Sequence, residues 1–498
     1  VAHSRCRAGV GLSGRIETVK APGEGRCSGG GTSAVRLWLD RAAVLVPAGM
    51  LLVLLLRRVW DVDIFWQLKL GEIILAHGGP IAREPFAALH LGEPLPAVGW
   101  LAQASMAAVR MAGGWGALRV FDALCWLGGF WAVAAACRHR GAGRQAVALA
   151  LTLAFFAALP TASIRPQSFA ALCFGLLLAL LQLRLRPLVT IALGAPLLVL
   201  WQNFHPSVSI GALALGIYAA VGLLDWLRDR TGPLPIAAAA LTVIAIAAIF
   251  ATPDGFSILA ISATNAEMSL AIGASEWRPL WIPANWSNAV PVLAVVLLTL
   301  RIVLRTRRYG AAEVLVALAL LAMTALAYRF ALFWALSMVP VIARGASSEE
   351  RDEATIPRWL PVVALALVAV VTPLLAPTRF AATLPLESIA RLRQEHLRGT
   401  VYADFPYGGP IIDAGWPDWR VAYDGRYYRY GHDEWQYNGG IENGYVPLVD
   451  VIAKWHPVAF LIQEDHNAPL AGELARSPHW TRIFRGVDGV VVYVRRKH

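Results

Sequence analysis

Residues 42–56 read Ala-Ala-Val-Leu-Val-Pro-Ala-Gly-Met-Leu-Leu-Val-Leu-Leu-Leu; Leu37, Trp38 and Leu39 lead in, and Arg57 and Arg58 close the run. A helix needs about 20 mainly apolar residues to cross the hydrocarbon core, where backbone groups must be satisfied internally. Similar runs occupy 115–136, 207–227, 235–251 and 290–300. They explain a composition of 57% hydrophobic and 15% charged residues, against about 25% charged in a soluble domain. The sequence therefore predicts an all-α polytopic membrane domain with about eleven spans.

The net charge of +11 comes almost wholly from arginine, lysine being confined to Lys20, Lys69, Lys454 and Lys497. The arginines concentrate in short loops at 138–144, 184–187, 228–230, 301–308 and 344–358. That alternation is what the positive-inside rule produces, and it removes nucleic acid as a partner. The N-terminus is then cytoplasmic. Loops 57–99, 161–167, 203–206 and 253–287, with the tail after 377, fall on the outer face. The segment Trp100–Met111, about three turns long and carrying Gln103 and Arg110, is expected to lie at the interface.

Three regions follow. Residues 1–34, rich in Gly, Ser and Arg, are expected to be a disordered extension, and 35–380 the membrane domain with its first outer loop at 57–99. Residues 381–498 are expected to form a soluble extracytoplasmic α/β domain. Its strands are read at 400–404, 420–423, 458–462 and 490–494, its helices at 447–455 and 469–476. The cysteines, at 6, 27, 125, 137 and 173, form no Cys-x-x-Cys pair. They predict neither a zinc knuckle nor a disulfide framework.

The outer loops hold the polar residues that look specific. Asp61 and Asp63, flanked by Trp60, Phe65 and Trp66, have three readings: ligands for a divalent cation (Mg or Mn), a general base, or the cap of a helix over 64–77. Their depth suits a lipid-linked substrate. Glu84 is a further candidate carboxylate. Arg165 in Ile-Arg-Pro-Gln suits a phosphate or snorkels to the headgroups. Asn203 and His205 in Trp-Gln-Asn-Phe-His-Pro would bind substrate, act as a base or cap the bundle. Glu276 in Glu-Trp-Arg-Pro, beside Trp281 and Trp286, suits a sugar, or the tryptophans are interfacial anchors, and Arg329 between apolar runs requires a polar cavity. Asp424 and Arg426, in the Tyr- and Gly-rich stretch 423–431, either bind carbohydrate or form tight turns packed on the membrane domain.

The run Asp-Val-Asp-Ile-Phe-Trp-Gln-Leu at 61–68, with His-Gly-Gly-Pro-Ile at 77–81 and Glu-Pro-Phe at 84–86, resembles a group of bacterial polytopic membrane proteins. Ile-Arg-Pro-Gln (164–167), Trp-Gln-Asn-Phe-His-Pro (201–206), Thr-Pro-Asp-Gly-Phe (252–256), Glu-Trp-Arg-Pro (276–279) and Tyr-Asp-Gly-Arg (423–426) match it in order. That group is similar to the GT-C class of glycosyltransferases, which includes protein mannosyltransferases and the aminoarabinose transferase of lipid A. Val62, Gln67 and Glu84 stand where the group has Pro, His and Asp. The resemblance implies a GT-C-like membrane domain in a bacterial inner membrane. It implies transfer of a sugar from a polyprenyl-phosphate donor to an envelope glycan, lipid or protein. Asp61 or Asp63 would be the base or help bind a metal. Arg165 and Arg329 would hold phosphate, His205 and Glu276 would orient hydroxyls, and the C-terminal domain would grip the acceptor. The rival is a non-catalytic transporter or lipid- or polysaccharide-handling protein. Transporters place ionisable groups near the midplane in repeated halves, whereas here they gather at span ends and no repeat is evident.

Overall fold

The computed structural model describes residues 30–230, 232–347, 355–357 and 359–496. Of the extension expected over 1–34, residues 1–29 lie outside the described residues. From Gly30 the backbone is already helical, in α1 (Gly30–Leu56). There follow α2 (Asp63–His77), α3 (Trp100–His139), α4 (Arg144–Ala158), α5 (Gln167–Leu183), α6 (Pro187–Phe204) and α7 (Val208–Arg228). The helical part continues through α8 (Ile236–Ala248), α9 (Ser257–Ala271), α10 (Trp286–Thr306), α11 (Ala311–Leu326), α12 (Ala331–Ala346) and α13 (Trp359–Leu375). Among the described residues, the helices of α1, α3, α4, α6, α7, α10 and α12 form seven segments long and apolar enough to cross a membrane. Helices α5, α8, α11 and α13 are apolar but shorter; about eleven crossings would require these four to cross as well.

At 40 residues, α3 would be roughly 60 Å long if straight, twice the hydrocarbon thickness. It is broken at Gly113 (φ −145°) and Gly114 (φ +64°), the second in the left-handed region that glycine tolerates. The half before the break packs on α2, and its Arg110 pairs with Glu72 at 2.5 Å and Asp413 at 2.8 Å. The interfacial helix expected at 100–111 is thus a separate arm of α3.

Lipid gives helices no hydrophobic reason to associate, so close packing has to hold them. Helices α3 and α5 meet at facing glycines: a Cβ on Gly175 would lie 2.3 Å from the Gly129 Cα. Helix α12 is the central column, nearly all of it buried. Its Phe333 packs edge-on against Phe174, centroids 5.6 Å apart, and is stacked with Trp201 at 6.4 Å.

Beyond α13 come α14 (Leu386–Arg393), β1 (Gly399–Ala403), α15 (Gly408–Gly415), β2 (Trp419–Val421), α16 (His432–Glu442) and α17 (Leu448–Trp455). The chain closes with β3 (Ala459–Gln463), α18 (Ala468–Arg476), β4 (Trp480–Arg485) and β5 (Val490–Arg495). The sheet order is β2-β1-β3-β5-β4, with β1 parallel to β2 and β3, and β5 antiparallel to β3 and β4. The four expected strands and two expected helices are found within a residue or two; β4, α14, α15 and α16 were not expected. The stretch 404–410 passes through the short 3-10 turn Phe405–Tyr407 into α15.

This sheet does not stand apart from the membrane part. Helix α15 packs on α2, and Trp66, Leu70 and Ile74 of α2 share one core with Val401, Ile411 and Leu461. Loop 57–99 extends the sheet edge, where the Val421 amide donates to the Phe86 carbonyl at 3.0 Å. The first loop and the C-terminal domain therefore lie on the same side of the bundle.

Candidate active site

The site starts at the turn into α2. Asp61 is buried, and its Oδ1 accepts the Asp63 amide at 2.9 Å, so it caps the helix while its second oxygen faces Arg165. Arg165, in the loop before α5, bridges the two carboxylates: its Nε pairs with Asp61, and its Nη2 donates to Asp63 Oδ2 at 2.9 Å. Asp63 Oδ1 accepts Trp66 Nε1 at 3.2 Å. The loop after α9 adds Glu276, whose Oε2 lies 3.6 Å from Arg165 Nη1. Glu276 Oε1 is 4.0 Å from Arg329 Nη1, and the Arg329 guanidinium lies 3.7 Å from the centre of the Trp277 ring, a cation–π stack.

Asp63, Arg165, Glu276, Trp277 and Arg329 border one cavity of about 340 Å³ that also takes in His205, Gln67, Gln103 and Tyr427. Asp63 and Arg165 retain 19% and 23% side-chain exposure, Asp61 only 1%. Of the two aspartates it is Asp63 that reaches the cavity. Burial, reinforced by Asp61 and Glu276 and opposed by Arg165, pushes the Asp63 carboxyl up to about 7. His205 is held down to about 3, by burial first and then by Arg329 and Arg165, so its ring is neutral. Trp201 Nε1 donates to Ser207 Oγ at 3.0 Å, and that hydroxyl lies 2.9 Å from His205 Nδ1. Trp can only donate, so the Ser207 hydroxyl accepts from it and holds the neutral imidazole through Nδ1, leaving Nε2 for a substrate group.

The remaining expected residues lie elsewhere. Asn203 is not among the cavity-lining groups: its Oδ1 accepts Trp100 Nε1 at 2.8 Å, and its Nδ2 donates to the Val199 and Ala251 carbonyls at 2.9 and 2.7 Å. It ties the ends of α6 and α8 to the start of α3. Glu84, Asp424 and Arg426 form a latch instead of an open carbohydrate surface. Arg426, its side chain 0% exposed, donates to Glu84 at 2.6 and 2.9 Å and to Asp424 at 2.7 and 2.9 Å. Arg426 borders the cavity, but this guanidinium is fully engaged. Of the two readings of 423–431, the packed turn is the one found. Its use is to bring Gly425 against the site: a Cβ there would lie 2.1 Å from Asp63 Oδ1.

The Asp61–Asp63 pair is also the expected place for a divalent cation. Such ions take about six oxygen ligands, whereas here one guanidinium already bridges both carboxylates. Among the described residues no group of three or more His, Cys, Asp or Glu is placed to hold a metal.

Several lining residues were not singled out from sequence: Ser262, Asn265 and Ser269 of α9, and Tyr427 and Tyr428. The first three recur at i, i+3 and i+7 and so share one face of α9, but α9 as a whole has no marked amphipathic period to display them.

No family model matches the sequence, and neither does any curated protein. Among solved structures the fold is similar to that of GT-C class glycosyltransferases. One such structure is the Archaeoglobus fulgidus oligosaccharyltransferase tethered to an acceptor peptide containing the NVT sequon (TM-score 0.54, 12% identity, 93% of this chain and 75% of that one). A mycobacterial arabinofuranosyltransferase, AftD, aligns at TM-score 0.47 and 16% identity, over 93% of this chain and 42% of its own length.

Proposed function

We propose that this chain is an inverting membrane glycosyltransferase that moves a sugar from a polyprenyl-phosphate donor to an extracytoplasmic envelope acceptor. The reading rests on one observation: the Asp63 carboxylate faces the same cavity as the Arg165 and Arg329 guanidiniums and the His205 imidazole. In the reaction, an acceptor hydroxyl attacks the anomeric carbon and gives its proton to Asp63. The new carbon–oxygen bond forms as the bond to the phosphate oxygen breaks, and polyprenyl phosphate departs as the anion. Its charge requires cations. Arg329, held only by a ring face and a 4.0 Å ion pair, is the better placed to bind it; Arg165 is engaged in fixing the aspartates. His205 Nε2 offers a hydrogen bond to a sugar hydroxyl or phosphate oxygen. Positioning and charge stabilisation then supply most of the rate.

The test is transfer from polyprenyl-phosphate sugars by the purified full-length chain. Asp63→Asn is expected to lower kcat by about 10²–10⁴-fold, the usual range for a lost general base. Arg329→Ala is expected to raise KM for the donor as well. Undiminished transfer by Asp63→Asn overturns the mechanism.

A further inference from the structure

The first outer loop turns back on itself before it reaches α3. The Glu84 amide donates to the Glu93 carbonyl at 2.9 Å, and the Gly92 amide to the Glu84 carbonyl at 3.0 Å. Residues 84–93 thus form a closed tip that contains the short 3-10 turn Ala88–His90. One attachment of this tip to the sheet domain is the latch, where Glu84 holds Arg426 and lies 3.3 Å from Arg429 Nε. The other is His90, mostly buried. Its Nδ1 lies 2.9 Å from Glu93 Oε2, and its Nε2 lies 3.0 Å from Oε1 of Glu434 in the first turn of α16.

Both ring nitrogens therefore face carboxylates. An ionised carboxylate only accepts, and an imidazole donates from both nitrogens only when it is charged. The neutral ring has a single N–H, so it can satisfy one acid and turns a lone pair toward the other. Neither acid is set to supply the missing proton. Glu434 Oε2 accepts the Gly431 amide at 2.9 Å. Burial alone would raise the Glu434 carboxyl, but the hydrogen bonds from His90 and Gly431 and the charge of Lys454 hold it below its ordinary value. Glu93, half-exposed, lies 3.4 Å from Arg429 Nη1. The Tyr430 ring meets the imidazole edge-on, centroids 5.5 Å apart, and its hydroxyl donates to Asp424 of the latch at 3.0 Å. The hydrogen bond to Glu434 first, then Glu93, raises His90 above the usual histidine value against the effect of burial.

We propose that His90 is a proton-operated strap: charged, it ties the tip of the first outer loop to α16 through both nitrogens, and neutral, it gives up one of the two carboxylates. The strap's contribution to stability is complete below about 6.5, the reference value of a histidine. It is lost as pH rises through the higher value of the folded ring. Strap and latch share one loop tip, so the charge on His90 sets how firmly the turn 423–431 is held over Asp63. The device operates whatever reaction the cavity performs.

The test is amide hydrogen exchange of the full chain, read by mass spectrometry in peptides covering 84–95 and 429–436. Parent and His90→Gln are compared at each pH, so the intrinsic pH dependence of exchange cancels. At pH 6 the parent is expected to exchange about ten-fold more slowly, the worth of one charge-assisted hydrogen bond. At pH 9 the two are expected to exchange alike. Glu434→Gln places an amide, which can donate or accept, opposite Nε2, and its protection is expected to persist at pH 9. Should His90→Gln not fold, Glu93→Gln, at a half-exposed position, is expected to keep protection at pH 9 for the same reason. A parent-to-variant ratio that stays constant from pH 6 to pH 9 overturns the proposal. So does the same pH-dependent loss in His479→Gln, an exposed residue outside the strap.

Discussion

Asp63 and His205 exchange the roles their ordinary pKa values suggest. A rate that climbs near neutrality is usually assigned to a histidine, with its reference value of about 6.5. Here burial holds the imidazole neutral at about 3 and lifts the Asp63 carboxyl to about 7. A base must be unprotonated to act, so activity should be lost as pH falls through about 7. The expected kcat/KM profile has one ascending limb there, and His205→Gln should lower the plateau without moving the limb. A limb that disappears in His205→Gln would return the base to the imidazole. How far the residues themselves were legible follows from the same physics. Asp63, Arg165, His205 and Arg329 stood out because each is a polar group at the end of an apolar run, where leaving it unpaired is costly, and Glu276 because tryptophans surround it in the long loop 253–287. The division of labour between Asp61 and Asp63 was not legible. Two residues apart at a helix start, they differ in whether the side chain is 1% or 19% exposed, which is decided by Arg165 a hundred residues away.

The elements around the site depend on contacts that one sequence does not display. The Glu84–Arg426 pair joins residues 342 positions apart, and each partner read separately suggested an open binding surface. Strands β1, β3 and β5 were legible because they are short apolar runs buried on both faces. Strand β4, with exposed arginines at 482 and 485, has no such run. Helix α16 carries Gly439 and Gly440 and no apolar period, and is held by its buried Trp435 and Ile441. The latch gives a prediction at this scale. Arg426→Ala leaves the buried Asp424 without its counter-charge and Glu84 with only Arg429, 3.3 Å away, which costs about 3–5 kcal/mol. The variant should unfold at lower temperature and lose transfer, because the turn carrying Gly425 is no longer held against Asp63. The double change Asp424→Asn/Arg426→Met should recover part of the stability, since Asp424 is then no longer a stranded charge and Glu84 keeps Arg429. If Arg426→Ala unfolds like the parent protein, the latch does not hold the domain down.

Across the whole molecule, the side of the membrane on which the Asp63 cavity opens decides its chemistry. The bundle fixes only the relative arrangement: loop 57–99 and the sheet share a core, and both lie with the Asp63 cavity. The proposed function adds the orientation, taking the arginine-rich loops at the other ends of the helices as the cytoplasmic ones by the positive-inside rule. Sugar nucleotides are charged and stay in the cytoplasm, so an outward-facing site has to take its sugar from a carrier anchored in lipid. Orientation and donor are thus one proposition. It can be tested with the five native cysteines replaced by alanine and a single cysteine introduced at either boundary. His479 is exposed in the sheet domain, and Thr306 is exposed at the far end of α10, a helix about 31 Å long. A membrane-impermeant maleimide added to intact cells should label His479→Cys, and should reach Thr306→Cys only after permeabilisation. The reverse pattern would turn the Asp63 cavity toward the cytoplasm, where a soluble nucleotide donor suffices and the case for a polyprenyl-phosphate sugar is lost.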